Sequence, residues 1–121
     1  MDIDEAAARE FAQSLDRAVC HLYLLKKGPH WTAEPSPALD ALQAAHIRRM
    51  QAMADEGRLV VNGPLLDAFQ LGTELRGLGV LRASSLAQAQ AWMAEDPMVQ
   101  AGHLAAEVHL WMVPKGILTS G

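Results

Sequence analysis

Cysteine and long apolar runs are both scarce in this sequence. Its 121 residues include one cysteine, Cys20, which excludes an intramolecular disulfide. The surrounding segment is apolar, so this thiol is expected to be a small core side chain rather than a nucleophile. No apolar run approaches the roughly 20 residues of a membrane helix. The acidic N-terminus lacks the basic and apolar regions of a signal peptide, so we expect a cytoplasmic protein without membrane contact.

Clustered positive charge is missing as well. The net charge is -4, and the paired basic residues are Lys26 with Lys27 and Arg48 with Arg49. Neither pair is long enough to follow a phosphate backbone, which argues against nucleic-acid binding. The composition is 50% hydrophobic and 20% charged, as in one globular domain.

Metal-binding and phosphate-binding motifs are also absent. No two histidines lie three or four residues apart on a predicted helix, and no cluster of cysteines or carboxylates completes a set of four ligands. The Gly-Leu-Gly sequence at 77–79 lies inside a predicted strand and lacks the lysine of a P-loop. We therefore expect neither a metal nor another cofactor.

The hydrophobic pattern predicts six main elements. Strands are expected at 19–25, 59–61, 75–82 and 104–113, and helices at 37–56 and 86–94. The turn residues 62–64 are expected to break the second strand, and a loop is expected over 67–74. Asp96 is expected to cap a short helical turn over 98–101. A helical N-terminal extension (1–18), a main domain (19–115) and a frayed tail (116–121) complete the predicted organisation.

This order is that of the ferredoxin-like βαββαβ fold. In that α+β arrangement, a four-stranded antiparallel sheet carries two helices on one face. The first and last predicted strands have apolar or aromatic side chains on both faces. Because the helices cover only one face, the other is expected to pack against a second copy, forming a homodimer.

His46 departs from the apolar pattern of the long predicted helix. At helical spacing it lies at the centre of the apolar face, which otherwise consists of Leu39, Leu42, Met50, Met53 and Ala54. A titratable ring directed at the core is a local inconsistency of the kind found at functional sites. The structural alternative is a core histidine that donates one hydrogen bond to a carbonyl.

Several further side chains are candidates for ligand binding. Trp31 lies in a proline-rich loop, where it would stack on a planar ligand or cap the core. Arg76 would bind an anionic group or lie in water at the end of its strand. Asp67, just beyond Gly63 and Pro64, is a second loop carboxylate that would bind a ligand or remain solvated.

Four segments together resemble the YciI-like (YCII-related) family. They are residues 22–31, 45–47, 56–64 and 95–102, and the resemblance extends over about 19–115. It implies a dimeric α+β barrel built from ferredoxin-like protomers. It also implies an active-site pair of a helix histidine and an acidic residue, here His46 and Asp96, with Gly63 and Pro64 beside them. Some members of the family act on small chlorinated or hydroxylated aromatic rings.

Two classes of function follow from this resemblance. In the first, His46 is a general base oriented by Asp96, in a small enzyme that hydrolyses, eliminates or isomerises an aromatic or enolisable compound. Asp96 would also cap the turn after Pro97, with one oxygen for each role. In the second, the same pocket holds a metabolite without catalysis, in a binding or stress-associated dimer.

Overall fold

A computed structural model describes residues 3–117 of the chain. The elements are, in order, α1 (Glu5–Ser14), β1 (Arg17–Lys27), α2 (Pro37–Asp55), β2 (Leu59–Pro64), α3 (Leu66–Leu71), β3 (Leu75–Leu81), α4 (Leu86–Ala94), α5 (Pro97–Gln100) and β4 (Leu104–Pro114). The predicted frayed tail lies outside the described residues from residue 118 onward.

The strands form one antiparallel sheet in the order β2-β3-β1-β4. The predicted ferredoxin-like α+β fold is confirmed, because the two strands that are central in space are the first and third in the chain. Side chains from α2, α4 and α5 form the main core with one face of the sheet, and its largest fully buried members are Tyr23, Met53, Leu81 and Met93. The sheet of a single chain is open rather than closed into a barrel.

Local sequence determines both ends of α2. The Ser36 Oγ accepts a hydrogen bond from Leu39 N at 3.0 Å, and Pro37 occupies the first helical position. Beyond the last turn, Gly57 has a φ of +78°, a conformation that glycine adopts without steric cost. The predicted boundaries of this helix are confirmed.

Two predictions about the connection between β2 and β3 are wrong. Residues 62–64 continue β2 instead of breaking it. This is possible because β2 is an edge strand, where a proline without an N–H group is tolerated. The segment predicted as a loop over 67–74 contains α3, which ends at the left-handed Gly72. Its N-cap residue is Leu65, which makes no side-chain cap hydrogen bond, so the usual signal of a helix start is missing.

The first residue of α1 is hydrogen-bonded to the first residue of α4. Its own N-cap is Asp4, whose carboxylate accepts from Ala7 N at 3.0 Å. The Glu5 carboxylate then accepts a hydrogen bond from Leu86 N, the first residue of α4. The predicted helix in this segment is therefore present, whereas its status as a separate extension stays a prediction.

Within residues 3–117, no helix is both long enough and apolar enough to cross a membrane. The cytoplasmic location stays a prediction.

Candidate active site

A cavity of about 590 Å³ opens between α2 and the sheet. Its walls come from α2, α3, α5, all four strands, the loop after β1 and the turn before β4. The lining is mostly apolar with a few polar groups, which is the usual composition of a small-molecule site. A volume of this size accommodates a small ligand, because such pockets span roughly 300 to 1,000 Å³.

His46, which lines the cavity, forms a hydrogen-bonded pair with Asp96, which lies behind it. His46 Nδ1 lies 2.7 Å from Asp96 Oδ1, across 50 residues of sequence. The other oxygen, Asp96 Oδ2, accepts from Met98 N at 3.0 Å and so caps α5. The carboxylate is fully buried; one of its oxygens contacts His46 and the other caps α5.

This contact determines which ring nitrogen faces the cavity. A carboxylate offers only acceptors, so Nδ1 carries the hydrogen and donates it to Asp96. In the neutral ring, Nε2 then has the free lone pair. The His46 side chain is 18% exposed and lines the cavity. The Asp96 contact engages Nδ1 alone, so Nε2 is available to a ligand in the cavity.

Trp31 forms an aromatic wall of the same cavity. Its ring stacks on His103 with centroids 4.4 Å apart and an interplanar angle of 29°. The Arg76 guanidinium lies 4.6 Å from the Trp31 centroid and 5.5 Å from the ring of Phe69. One Arg76 nitrogen, Nη1, donates to the carbonyls of Ala68 and Thr73 at 3.0 and 3.1 Å. The cation is thus held against the aromatic wall.

The structure gathers most of the side chains proposed from the sequence. His46, Trp31, Gly63, Pro64 and Arg76 all line the cavity. Asp67 lies apart from them: it is exposed in the first turn of α3 and does not line the cavity. The catalytic and binding roles assigned to these residues, including Asp67, stay predictions.

Several lining residues were not predicted from the sequence, among them Tyr23, Asn62 and His103. Burial raises the pKa of Tyr23 to about 12; the neighbouring Asn62 side chain opposes this rise, and the charge of Asp96 adds to it. Burial lowers the pKa of His103, and the nearby Arg76 charge lowers it further. Tyr23 lies in an apolar segment without alternation, so the sequence carried no signal for the face it occupies.

Acidification is expected to destabilise the protein through two buried histidines. Burial lowers the pKa of His21 and His103 in the folded chain from the ordinary value of 6.5. Below that value the unfolded chain binds protons that the folded chain does not, so the free energy of unfolding decreases as the pH falls. Urea unfolding between about pH 7 and pH 5 should show this decrease.

His103→Phe keeps a planar ring against Trp31 but cannot take up a proton. It should therefore make the loss of stability on acidification shallower, leaving the part due to His21. An identical slope in the variant and the wild type would contradict this assignment.

Among residues 3–117, no group of three or more His, Cys, Asp or Glu side chains is placed to hold a metal ion. The expectation that the protein uses no cofactor stays a prediction.

Comparison with known proteins supports one family assignment. The model of the YCII-related domain matches residues 20–112. The protein YciI of Escherichia coli O6:H1 is 39% identical over 66 residues, which cover 51% of this chain and 67% of the relative. YciI of Shigella flexneri matches with the same identity and coverage.

A solved structure is also similar to this chain, with 22% identity and a TM-score of 0.49 over 74% of this chain and 92% of the other. It is 5-chloro-2-hydroxyhydroquinone dehydrochlorinase from Burkholderia phenoliruptrix AC1100, in complex with 2,5-dihydroxybenzoquinone. Since the family model covers most of the chain, the protein belongs to the YCII-related, YciI-like family.

Proposed function

We propose that this protein is a small-molecule enzyme in which His46 is the general base and Asp96 orients it. The observation that carries the proposal is the 2.7 Å contact between His46 Nδ1 and the fully buried Asp96. It leaves Nε2 as the basic atom in a cavity of about 590 Å³. A base held in one tautomer within hydrogen-bond reach of a bound substrate meets the geometric requirement for proton abstraction.

Asp96 stabilises the charged form of the base during reaction. When Nε2 takes a proton, the imidazolium forms beside a carboxylate that is already in hydrogen-bond contact with Nδ1. That contact, already charge-assisted through the carboxylate, then joins two opposite charges as an ion pair, which favours the protonated ring. The proton can then return to the substrate or to a leaving group, as hydrolysis, elimination and isomerisation all require.

The cavity wall favours a planar substrate. Trp31 and Phe69 present aromatic surface, and the Arg76 guanidinium lies beside both rings. An aromatic or enolisable compound would stack on this wall, and any negative charge that it carried would be attracted to Arg76. The proposed substrate is therefore a small aromatic or enolisable molecule.

Asp96→Asn tests the orienting role, because its amide has one oxygen and one NH₂ group. The cap of α5 requires the oxygen at Met98 N, which places the NH₂ group against His46 Nδ1. The ring must then accept at Nδ1 and carry its hydrogen on Nε2, so it is no longer a base toward the cavity. Turnover of any compound found in a small-molecule screen should fall by about 10²-fold or more.

Asp40→Asn is the matched control. This carboxylate is exposed in the first turn of α2 and does not line the cavity, so its loss should leave turnover unchanged. Thermal melting should show that both variants fold. Full turnover in folded Asp96→Asn would contradict the proposed pair and favour a cavity that binds a metabolite without catalysis.

We further propose that a second copy of the chain covers the face of the sheet opposite α2, α4 and α5. The strand register aligns Leu22, Val80 and Val61 on that face. Val61 is 59% exposed, and Trp111, on the same face in β4, is 46% exposed. Apolar side chains aligned on a sheet face commonly mark an interface. Light scattering should give twice the chain mass of 13.1 kDa, and a monomer at micromolar concentration would contradict the proposal.

A further inference from the structure

Tyr23 crosses the sheet at the floor of the cavity. In the register of the sheet, Tyr23 pairs with Gly79, which in turn pairs with Asn62 on the edge strand. A Cβ atom at Gly79 would lie 2.5 Å from both Cζ and Oη of Tyr23. The phenol therefore lies directly over Gly79 and extends toward β2. Glycine at this position leaves the space that the ring occupies.

The Tyr23 hydroxyl borders the cavity. Tyr23 is only 1% exposed to solvent, yet it lines the cavity together with Asn62. The Asn62 side chain is close enough to oppose the rise in the pKa of the phenol. The hydroxyl is therefore placed to donate its hydrogen to a group bound in the cavity.

We propose that Tyr23 contacts the substrate directly, with its phenol donating a hydrogen bond to the oxygen on which negative charge develops. This inference rests on the proposed function, because the charge develops when His46 removes a proton. The substrate proton moves to Nε2, and its electron pair passes to the substrate oxygen. The Tyr23 hydrogen is shared with that oxygen but is not transferred. The ligand class is a planar compound with a phenolic or enolic oxygen.

The surroundings keep Tyr23 a donor. Burial and the nearby Asp96 charge hold the pKa of the phenol at about 12, so it retains its hydrogen at neutral pH. A fixed donor in a site with little water stabilises a developing oxyanion more strongly than the same donor does in solution. The base thus takes the substrate proton, while the donor stabilises the substrate oxygen that receives the electron pair.

Nitrophenols test this inference without knowledge of the natural substrate. They are planar, they carry one ionisable hydroxyl, and their visible absorbance separates the phenol from the phenolate. The wild type should bind them and shift the bound probe toward the phenolate, at a pH where the free probe is mostly protonated. Tyr23→Phe should bind about ten- to a hundredfold more weakly and shift the absorbance less, as expected for the loss of a hydrogen bond to a charged group.

One comparison variant, His46→Gln, separates this inference from the proposed function. His46→Gln should still bind the probe but leave it protonated, because the base is gone. If Tyr23→Phe loses the shift and His46→Gln keeps it, the inference stands and the base is misassigned. If Tyr23→Phe matches the wild type while His46→Gln loses the shift, the inference is overturned and the base stands.

A purely structural role for Tyr23 gives a different result. Tyr23→Phe would then lower the urea midpoint but leave the affinity and spectrum of the bound probe unchanged, which would overturn the inference. If Tyr23→Phe does not fold, Asn62→Ala removes the polar neighbour of the phenol at the cavity and should weaken the shift in the same direction. Failure of every nitrophenol to bind the wild type would also overturn the inference.

Discussion

His46→Gln is expected to reduce turnover by about 10²- to 10⁴-fold, the usual contribution of a general base. Glutamine has no lone pair of comparable basicity, so no group would take the substrate proton at the position of Nε2. The fold should persist, since glutamine is a good helix former and its amide can still donate to the Asp96 carboxylate. Steady-state turnover and the melting temperature would be measured on the same preparation.

His30→Gln is the matched control for this substitution. His30 is exposed in the loop after β1 and does not line the cavity. The same chemical change at this position should leave turnover as it is in the wild type. Equal turnover in folded His46→Gln and the wild type would show that another group removes the proton.

Gly28→Ala is expected to destabilise the fold by about 3 kcal/mol or more, the range of severe overpacking. A Cβ atom at Gly28 would lie 2.8 Å from Gly102 C and 2.9 Å from Leu104 C, and it would also contact the carbonyl oxygen of Gly102. All three atoms belong to the backbone, so no side-chain rotation relieves the clash. The backbone hydrogen bond from Gly28 N to His103 O, 2.9 Å long, would be displaced with them.

Gly63→Ala provides the comparison for that loss. A Cβ atom at Gly63 meets no heavy atom within 4 Å, so its stability should stay close to that of the wild type. Urea unfolding of both variants would measure the difference. Equal stability of Gly28→Ala and Gly63→Ala would contradict the close approach of the backbone at Gly102 and Leu104 to Gly28.

The boundaries of the elements were predictable where the signals are local. Ser36, Pro37 and Gly57 mark the ends of α2 through cap and φ requirements that involve only neighbouring residues. The helix α3 was not predicted because its cap position is a leucine and its large apolar residues are exposed. Without a cap or a buried stripe, a one-and-a-half-turn helix leaves no periodic signal.

The site was predictable only in part, for a related reason. Helical periodicity indicated that His46 faces inward, but its partner is 50 residues away and came from the family resemblance. Tyr23 lies in a strand that is apolar at nearly every position, so alternation could not assign it to the cavity face. Its position became evident from the strand register, which aligns it with Gly79 and Asn62.

The ring tautomer of His46 tests the central claim most directly. Long-range ¹H–¹⁵N correlation spectra distinguish a hydrogen on Nδ1 from one on Nε2. The 2.7 Å contact with Asp96 predicts the hydrogen on Nδ1 in the neutral ring and a non-protonated Nε2, whose signal moves when a ligand binds. Asp96→Asn should reverse the two positions. A hydrogen on Nε2 in the wild type would contradict the assignment of His46 as the base that faces the cavity.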